Sequence, residues 1–479
     1  METGNLHSTT TQTRQDKLMT TTIKKLNNGQ AEAVEAMMEF YLASTTDAAP
    51  VLDRMFLLQG WGGTGKTFVV WSFIEKYRST GKILFAALSA PTNKAVSVLQ
   101  RMAPIHTRWV EFSTIHQLLG LTSQITNDGH ETFKPINKPG TKPSFPGFDV
   151  IFIDEASMIN KEMWNLLLEA MARYTDVKLI FLGDSAQLPP IGEDVSPVFK
   201  HVAQGASLSE VVRYMTDTPL GTLINLSRIQ VIDPGNSNVC LRSAIDSSAI
   251  QLQSPDIPNA TGSVFKLSDP DWLRSAIAHF KSPSYLDNPD YVRCLAWTNR
   301  AVSYLNSTIR QAVYEANASQ PYIVGERLIA TKPVFNEESL VLNTSTEVEV
   351  IAVRETEFRG YAAHRLKLYD PQSSDTHFVH VIAERDIQKW QARCDILRRA
   401  ASTSSIGRKQ AWIDYYSHMR LSAPLDYAFS LTVHKAQGST FNNAFISYRD
   451  ICRNPRLDER NKCLYVAFSR AASNLFLCG

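Results

Sequence analysis

Eight consecutive residues, Gly60-Trp61-Gly62-Gly63-Thr64-Gly65-Lys66-Thr67, carry the spacing G-x-x-x-x-G-K-[ST]. A loop of this kind turns backbone N–H groups toward phosphate oxygens, and its glycines permit the close approach. Lys66 is the cation that reaches the β- and γ-oxygens, while the Thr67 hydroxyl is a ligand for Mg²⁺. Further on, the apolar run Val150-Ile151-Phe152-Ile153 ends in Asp154-Glu155. Adjacent carboxylates there suit two tasks: Asp154 holds Mg²⁺ through water, and Glu155 polarises the attacking water. A third polar turn, GDSAQLPP from Gly183 to Pro190, offers the Gln187 amide as a sensor of the γ-phosphate. The chemistry these residues predict is ATP hydrolysis with Mg²⁺.

Such a loop works only where a strand delivers it and a helix receives the phosphate. The flanks comply, with the apolar MFLLQG (55–60) before it and the helical KTFVVWSFIEKYRS (66–79) after it. Three more apolar runs, at 83–92, 149–158 and 178–187, each end in polar residues and are separated by helical stretches. That alternation predicts an α/β domain with a parallel sheet and ligands at the carboxyl ends of its strands. Residues 120–148 interrupt it with a polar, Pro/Gly-rich insert centred on Asn127-Asp128-Gly129, which reads as a β-hairpin. A second α/β segment begins near residue 292 and resumes at 426–438 and 463–471. Between its halves lie strand-like runs (EVEVIAV, HRLKLYD, THFVHVI) and then helical ones, a small β domain with a helical extension.

The expected organisation is therefore a flexible tail at 1–20, a first domain at 21–119 and 149–225, the hairpin insertion at 120–148, a second domain at 226–312 and 425–479, and the inserted β domain at 313–424. The tail is Thr/Ser-rich and too poor in apolar residues to offset the entropy of ordering, and Met19 is a candidate alternative start.

Bulk properties exclude more than they assign. With 44% hydrophobic and 20% charged residues the chain is an ordinary globular one. A formal net charge of +2 means that any nucleic acid must be held by local groups rather than by a bulk field. Cys240, Cys294, Cys394, Cys452, Cys463 and Cys478 form no C-x-x-C pair and none stands beside a histidine at ligand spacing, so reduced, mostly buried thiols are expected. No stretch of roughly 18 apolar residues and no leader pattern appear, which predicts a cytoplasmic protein without membrane contact.

Read in order, GWGGTGKT, SAPTNKA, TIH, FIDEASM, GDSAQLPP, LSEVVR, AWTNRAV, LTVHKAQGST and LYVAFSRA resemble the motifs of superfamily 1 DNA helicases of the RecD-like, 5′-to-3′ branch, with phage-encoded members the nearest likeness. The likeness runs from about Leu26 to the C-terminus. It implies two RecA-like domains with ATP between them, a hairpin pin, and an SH3-like fold for the inserted β domain. By the same resemblance, Gln30 reads adenine, Gly62, Gly63, Thr64, Gly65 and Gly438 contact nucleotide, and Arg213 and Arg470 reach the γ-phosphate. Single-stranded DNA would lie against Pro91, Thr92, Asn93, Thr114, His116, Thr298, Asn299, Thr432, His434 and Lys435, short polar groups suited to backbone contact without sequence readout. Phe133 would stack on the first base pair from the pin.

The function implied is ATP-dependent unwinding of duplex DNA by 5′-to-3′ movement on one strand, by a monomer, in phage replication, recombination or repair. Partners are single-stranded and forked DNA, with single-strand-binding or other replication and recombination proteins beside them, in the host cytoplasm for a phage-encoded chain. Two rivals remain: an ATP-driven translocase that displaces bound proteins but unwinds poorly, and a nucleotide-switched adaptor that is no motor. The chain departs from the family pattern in AFSRA and in NTSTEVEV, where many relatives have an Asn-Gly turn. Trp61 is unusually bulky for its loop.

Overall fold

The structure, a computed structural model, describes residues 25–44, 50–104, 107–126, 128–129, 131–135, 144–212, 218–235, 241, 245, 262–336, 339–404 and 407–478. The expected tail at 1–20, Arg213 and Cys240 lie outside the described residues.

In chain order the first domain contributes β1 (Met55–Gly60), β2 (Ala86–Ala90), β3 (Val110–Thr114), a hairpin of β4 (Leu121–Ile125) and β5 (Glu131–Pro135), then β6 (Val150–Ile153), β7 (Lys178–Gly183) and β8 (Gly205–Leu208). All but the hairpin join one parallel sheet in the order β3-β2-β6-β7-β1-β8. Strands buried on both faces need unbroken apolar runs, and β6 (VIFI) and β7 (KLIFLG) are buried along their whole length. One face packs Phe56, Leu58 and Phe152 against α1 (Asn28–Leu42) and α2 (Lys66–Ser79), through Met37, Val70 and Phe73. The other packs Ile151, Ile153 and Phe181 against α4 (Lys161–Arg173), through Trp164, Leu167 and Met171. Helix α3 (Asn93–Arg101), which follows β2, closes the first face at its edge.

The second domain begins ahead of the expected boundary at 226, with α5 (Pro219–Ile232), whose Leu220, Leu223 and Ile224 belong to its core, followed by β9 (Ser263–Leu267), α6 (Asp269–Phe280), β10 (Val292–Ala296) and α7 (Asn299–Tyr314). An insertion follows: β11 (Arg327–Ala330), β12 (Val334–Asn336), β13 (Ser339–Leu342), β14 (Glu347–Phe358), β15 (Tyr361–Asp370), β16 (Asp375–Ile382), helices α8 (Glu384–Thr403) and α9 (Arg408–Met419), and β17 (Leu425–Tyr427). Its main sheet is antiparallel, in the order β16-β15-β14-β11-β17, and α8 and α9 pack on each other beyond it. The chain then returns with β18 (Ser430–Thr432), β19 (Phe441–Ile446), α10 (Leu457–Phe468) and β20 (Ala471–Cys478), giving a parallel sheet β18-β10-β19-β20-β9.

The exchange between domains differs by a few residues from the expected boundaries at 312 and 425. Helix α7 runs on to Tyr314, and β17 still pairs with the inserted sheet, Leu328 opposite Tyr427. Leu425 and Tyr427 pack on the insertion's core, whereas Leu431 belongs to that of the second domain. Among the described residues no helix is long and apolar enough to cross a membrane. Cys294, Cys463 and Cys478 are buried free thiols, Cys394 is a free thiol and partly covered, and Cys452 is partly covered.

Candidate nucleotide cleft and nucleic-acid interface

Between the carboxyl ends of the first sheet and the edge of the second domain lies a cavity of about 610 Å³, within the usual size of a small-molecule site. Gln30, Gly62, Gly63, Gly65, Lys66, Thr67, Asp154, Glu155, Gln187, Gly438 and Arg470 all line it. Gly65 caps α2 at φ +85°, and a Cβ there would stand 2.6 Å from the Gln30 amide, so glycine is required. Thr64 is buried beneath the loop, its hydroxyl donating to the Trp61 carbonyl. Gln30 holds the loop from the side: its amide donates to the Thr64 carbonyl at 3.0 Å, while its carbonyl oxygen completes a capping box with Asn27 at the start of α1. The cap explains why a glutamine stands there, and the same amide borders the cavity.

Two cations from different domains face this space. Lys66 Nζ donates to the carbonyls of Gly60 and Trp61, at 2.7 and 3.1 Å. Arg470, just before β20 and buried, donates to the Val466 and Ser439 carbonyls and the Ser469 hydroxyl. Among the described residues neither has a carboxylate within ion-pair distance. A buried arginine and a half-buried lysine held by neutral oxygens favour an anion between them, and phosphate fits.

The carboxylates sit opposite. Asp154 follows β6, and its Oδ1 accepts the Glu155 N–H at 2.8 Å. Glu155 takes a left-handed backbone, φ +53°, an uncommon strain for a non-glycine residue. Burial, and then the Asp154 charge, push its carboxyl up to about 7 despite the opposing fields of Arg470 and Lys66. A carboxyl near 7 is suited to take a proton at neutral pH. Gln187 is buried, with its amide oxygen unpartnered and its side chain on the cavity wall. The donor set fits Mg²⁺ as well as phosphate, Thr67 and Asp154 both bordering the space with hard oxygen ligands.

The residues expected to touch DNA fall at one kind of position. Thr92, Thr114, Thr298 and Thr432 stand at or just past the carboxyl ends of β2, β3, β10 and β18. Those strands are adjacent parallel pairs at one edge of each sheet, Ala90 opposite Thr114 and Ala296 opposite Thr432. Each hydroxyl accepts a backbone N–H of the turn or helix that follows: Ala95, Gln117, Ala301 and Lys435. The bland reading as caps and the functional one are compatible, because a capped helix start also presents N–H groups to phosphate. His116 and His434 are both held below the usual histidine range by burial, so they stand neutral and able to hydrogen-bond.

The 120–148 insert contains the expected hairpin, β4 against β5, with Phe133 opposite Ser123. Its tip is gripped from far along the chain. The Trp412 indole of α9 lies against Gly129 so closely that a Cβ there would meet the ring at 2.2 Å, and Gly129 has φ +79°. The Tyr416 hydroxyl donates to the Gly129 carbonyl at 2.8 Å, and Arg408 pairs with Asp128 at 3.3 Å. Asn127 and residues 136–143 lie outside the described residues.

Comparison with known proteins gives this architecture its relatives. The family model of an AAA domain matches residues 45–193, and that of a UvrD-like helicase C-terminal domain matches residues 427–478. The ATP-dependent DNA helicase dda of phage T4 is 24% identical over 95% of this chain and 99% of its own. An uncharacterised mimivirus protein, R530, is 23% identical over 94% and 99%. RecD of Buchnera aphidicola is 30% identical over 33% of this chain and 26% of its own. Taken together, these matches make the chain similar to superfamily 1 helicases of the Dda and RecD type. In fold it is similar to a Bacteroides Pif1 helicase solved with ADP-AlF3 and ssDNA, with TM-score 0.50, 16% identity and coverage of 93% and 91%.

Within this site several structural partners escape a residue-by-residue reading. Asp184 accepts both the Gly62 N–H, at 3.1 Å, and the Tyr465 hydroxyl of α10, at 2.6 Å, tying the phosphate loop to the second domain. Burial and then the Asp184 charge push the Tyr465 hydroxyl well above its usual range, so it stays a donor. Asp450 orients the Trp297-Thr298 turn by accepting both backbone N–H groups and the Thr298 hydroxyl. Asp184 and Tyr465 lie inside recognised motifs, which was the available signal; Asp450 carried none. Trp61 finds its place beneath Arg228 of α5, 3.1 Å from guanidinium carbon to ring centre. His434, Glu459 and Cys463 also converge, donor atoms within 4.8 Å of one another, from two segments whose sequence spacing does not suggest it.

Proposed function

We propose that the chain is an ATP-dependent DNA helicase that moves 5′ to 3′ on single-stranded DNA and separates the duplex ahead of it. The observation that carries the motor reading is the meeting of Lys66 and Arg470, from different domains, over one cavity that also holds Glu155. Glu155 takes the proton of the attacking water. Lys66 and Arg470, with Arg213 by family resemblance, stabilise the charge that builds on the transferring phosphoryl group. Thr67, and Asp154 through water, would hold Mg²⁺, which would supply charge neutralisation at the phosphates. Gln30 and Gly438 complete the walls around the nucleotide.

Since the catalytic arginine arrives with the second domain, hydrolysis requires a closed cleft, and product release lets it open. Threonine-capped turns lie at matching strand ends of both sheets, so each domain can grip the strand in turn while the cleft cycles. Pro91, Asn93, Asn299 and Lys435 extend those two grips. Direction follows from the RecD-like branch. The substrates are single-stranded and forked DNA, with single-strand-binding or other replication and recombination proteins as partners of a monomer acting in the cytoplasm, in phage DNA metabolism.

The braced hairpin favours unwinding over bare translocation. A wedge transmits force only if its tip cannot yield, and Trp412, Tyr416 and Arg408 clamp this one. Deleting residues 122–146 is expected to abolish strand separation while single-strand-stimulated ATP turnover and removal of a protein block persist. Unwinding that survives the deletion would favour the translocase.

A further inference from the structure

Helix α3 divides its faces between two different cavities. Ala95, Val98 and Met102, at its end, border the nucleotide cavity. Lys94, Ser97 and Arg101 border a second cavity of about 580 Å³, whose opposite wall is Asp290, Glu347 and Gln372 of the second domain and the insertion. The i, i+3, i+7 spacing of each set makes one rigid element the partition between ATP and the rest of the molecule.

The second face is bonded across three units. Lys94 Nζ lies 3.2 Å from Asp290, which just precedes β10, and 3.7 Å from Glu347, which begins β14 of the insertion. Arg101 pairs with Asp290 at 2.9 Å, and Ser97 donates to the Gln372 amide oxygen at 2.7 Å. Fully buried Arg293 of β10 pairs with Glu347 at 2.8 Å and also donates to the Ala428 carbonyl, bolting the insertion to the second domain. The Lys94, Asp290 and Glu347 side chains are only 11%, 12% and 8% exposed, unlike ordinary surface pairs. Burial alone would raise the Asp290 carboxyl, but Lys94, Arg101 and Arg293 hold it below its usual range, so it stands charged. Locally, Lys94 gains nothing: a cation in the first turn of a helix opposes the helix dipole. Its partners all lie outside its own domain.

The insertion leads from there to the hairpin. Asp386 of α8 accepts the Ala362 N–H of β15, the Trp390 indole of α8 donates to the His418 carbonyl of α9, and α9 holds Gly129. We propose that Lys94 and Asp290 are positioning residues that transmit closure of the nucleotide cleft through α3 to the insertion, and thus to the braced hairpin. The inference rests on the helicase reading. It makes the α3 contact the place where ATP turnover is converted into strand separation, distinct from the groups that perform either.

The test compares wild type, Lys94→Met, Lys94→Arg, Asp290→Asn and the Lys94→Met/Asp290→Asn double variant on a 5′-tailed fork. ATP hydrolysed and base pairs separated are recorded together, with melting temperatures as a folding control. Lys94→Met and Asp290→Asn should keep kcat for single-strand-stimulated ATP turnover within about twofold while base pairs per ATP fall by about fivefold or more. Lys94→Arg should restore the ratio, and the double variant should be no worse than either single one. Unchanged base pairs per ATP in both single variants, or equal loss of turnover and unwinding, overturns the link and leaves the helicase reading intact. A wild-type chain that turns over ATP on single strands but separates no fork overturns the helicase reading and the link with it.

Discussion

The nucleotide cleft and the hairpin are assembled in opposite ways. In the cleft, most of the groups we propose for catalysis stand within a few residues of a strand end, so the first sheet alone places Lys66, Thr67, Asp154, Glu155 and Gln187, and only Arg470 must be brought from the second domain. At the hairpin almost nothing is local. Two five-residue strands present a tip whose position depends on Arg408, Trp412 and Tyr416, the last of them 287 positions from the Gly129 it holds. Chemistry is held by short-range geometry, whereas mechanical work depends on long-range contacts. The two should therefore fail separately.

The sharpest break is expected at Arg470, the one proposed catalytic group the first domain does not supply. Arg470→Ala should lower kcat for ATP by about 10³-fold, measured as phosphate release on single-stranded DNA, while nucleotide binding to the first domain persists. Next in size is pH. Glu155 acts as a carboxylate and its pKa is pushed up to about 7, so kcat/KM for ATP should fall about tenfold per unit as pH drops below 7 and level off above. On the hairpin side, Trp412→Ala should lower the fork-unwinding rate by about tenfold with ATP turnover within about twofold, since the clamp touches no phosphate. A parallel loss of turnover would show that the two regions are not separable.

The smallest effect is on stability without nucleotide. Glu155 has a folded pKa of about 7 against an ordinary 4.5, so the stability it contributes in its protonated form is lost as pH rises between those values. The melting temperature of Glu155→Gln should gain on that of wild type from pH 5 to pH 7.5, and a constant gap would contradict the raised pKa.

Legibility in the sequence follows the same division. The glycine loop, the paired carboxylates and the GDSAQLPP turn announce themselves because a few adjacent residues satisfy their geometry. The threonines at the ends of β2, β3, β10 and β18 were legible as a set, although their shared placement at one edge of each sheet needed the strand order. Invisible were the contacts made by distant segments, such as Tyr465 on Asp184, Trp412 on Gly129, and Lys94 between Asp290 and Glu347. Each is a pair of common residues whose meaning lies only in their proximity. The boundary at 425 shifted for the same reason, since β17 is assigned by the strand it pairs with. Arg213 lies outside the described residues; Val212 donates its N–H to the Gly63 carbonyl at 2.9 Å.

The central claim is that turnover in the cleft drives directional strand separation. It is tested most directly by ATP-dependent unwinding of two otherwise identical partial duplexes, one with a 5′ single-stranded tail and one with a 3′ tail, with Lys66→Ala as the blank. The account predicts that only the 5′-tailed substrate is separated and that the variant separates neither. ATP turnover stimulated by single strands with no unwinding of either substrate would contradict it.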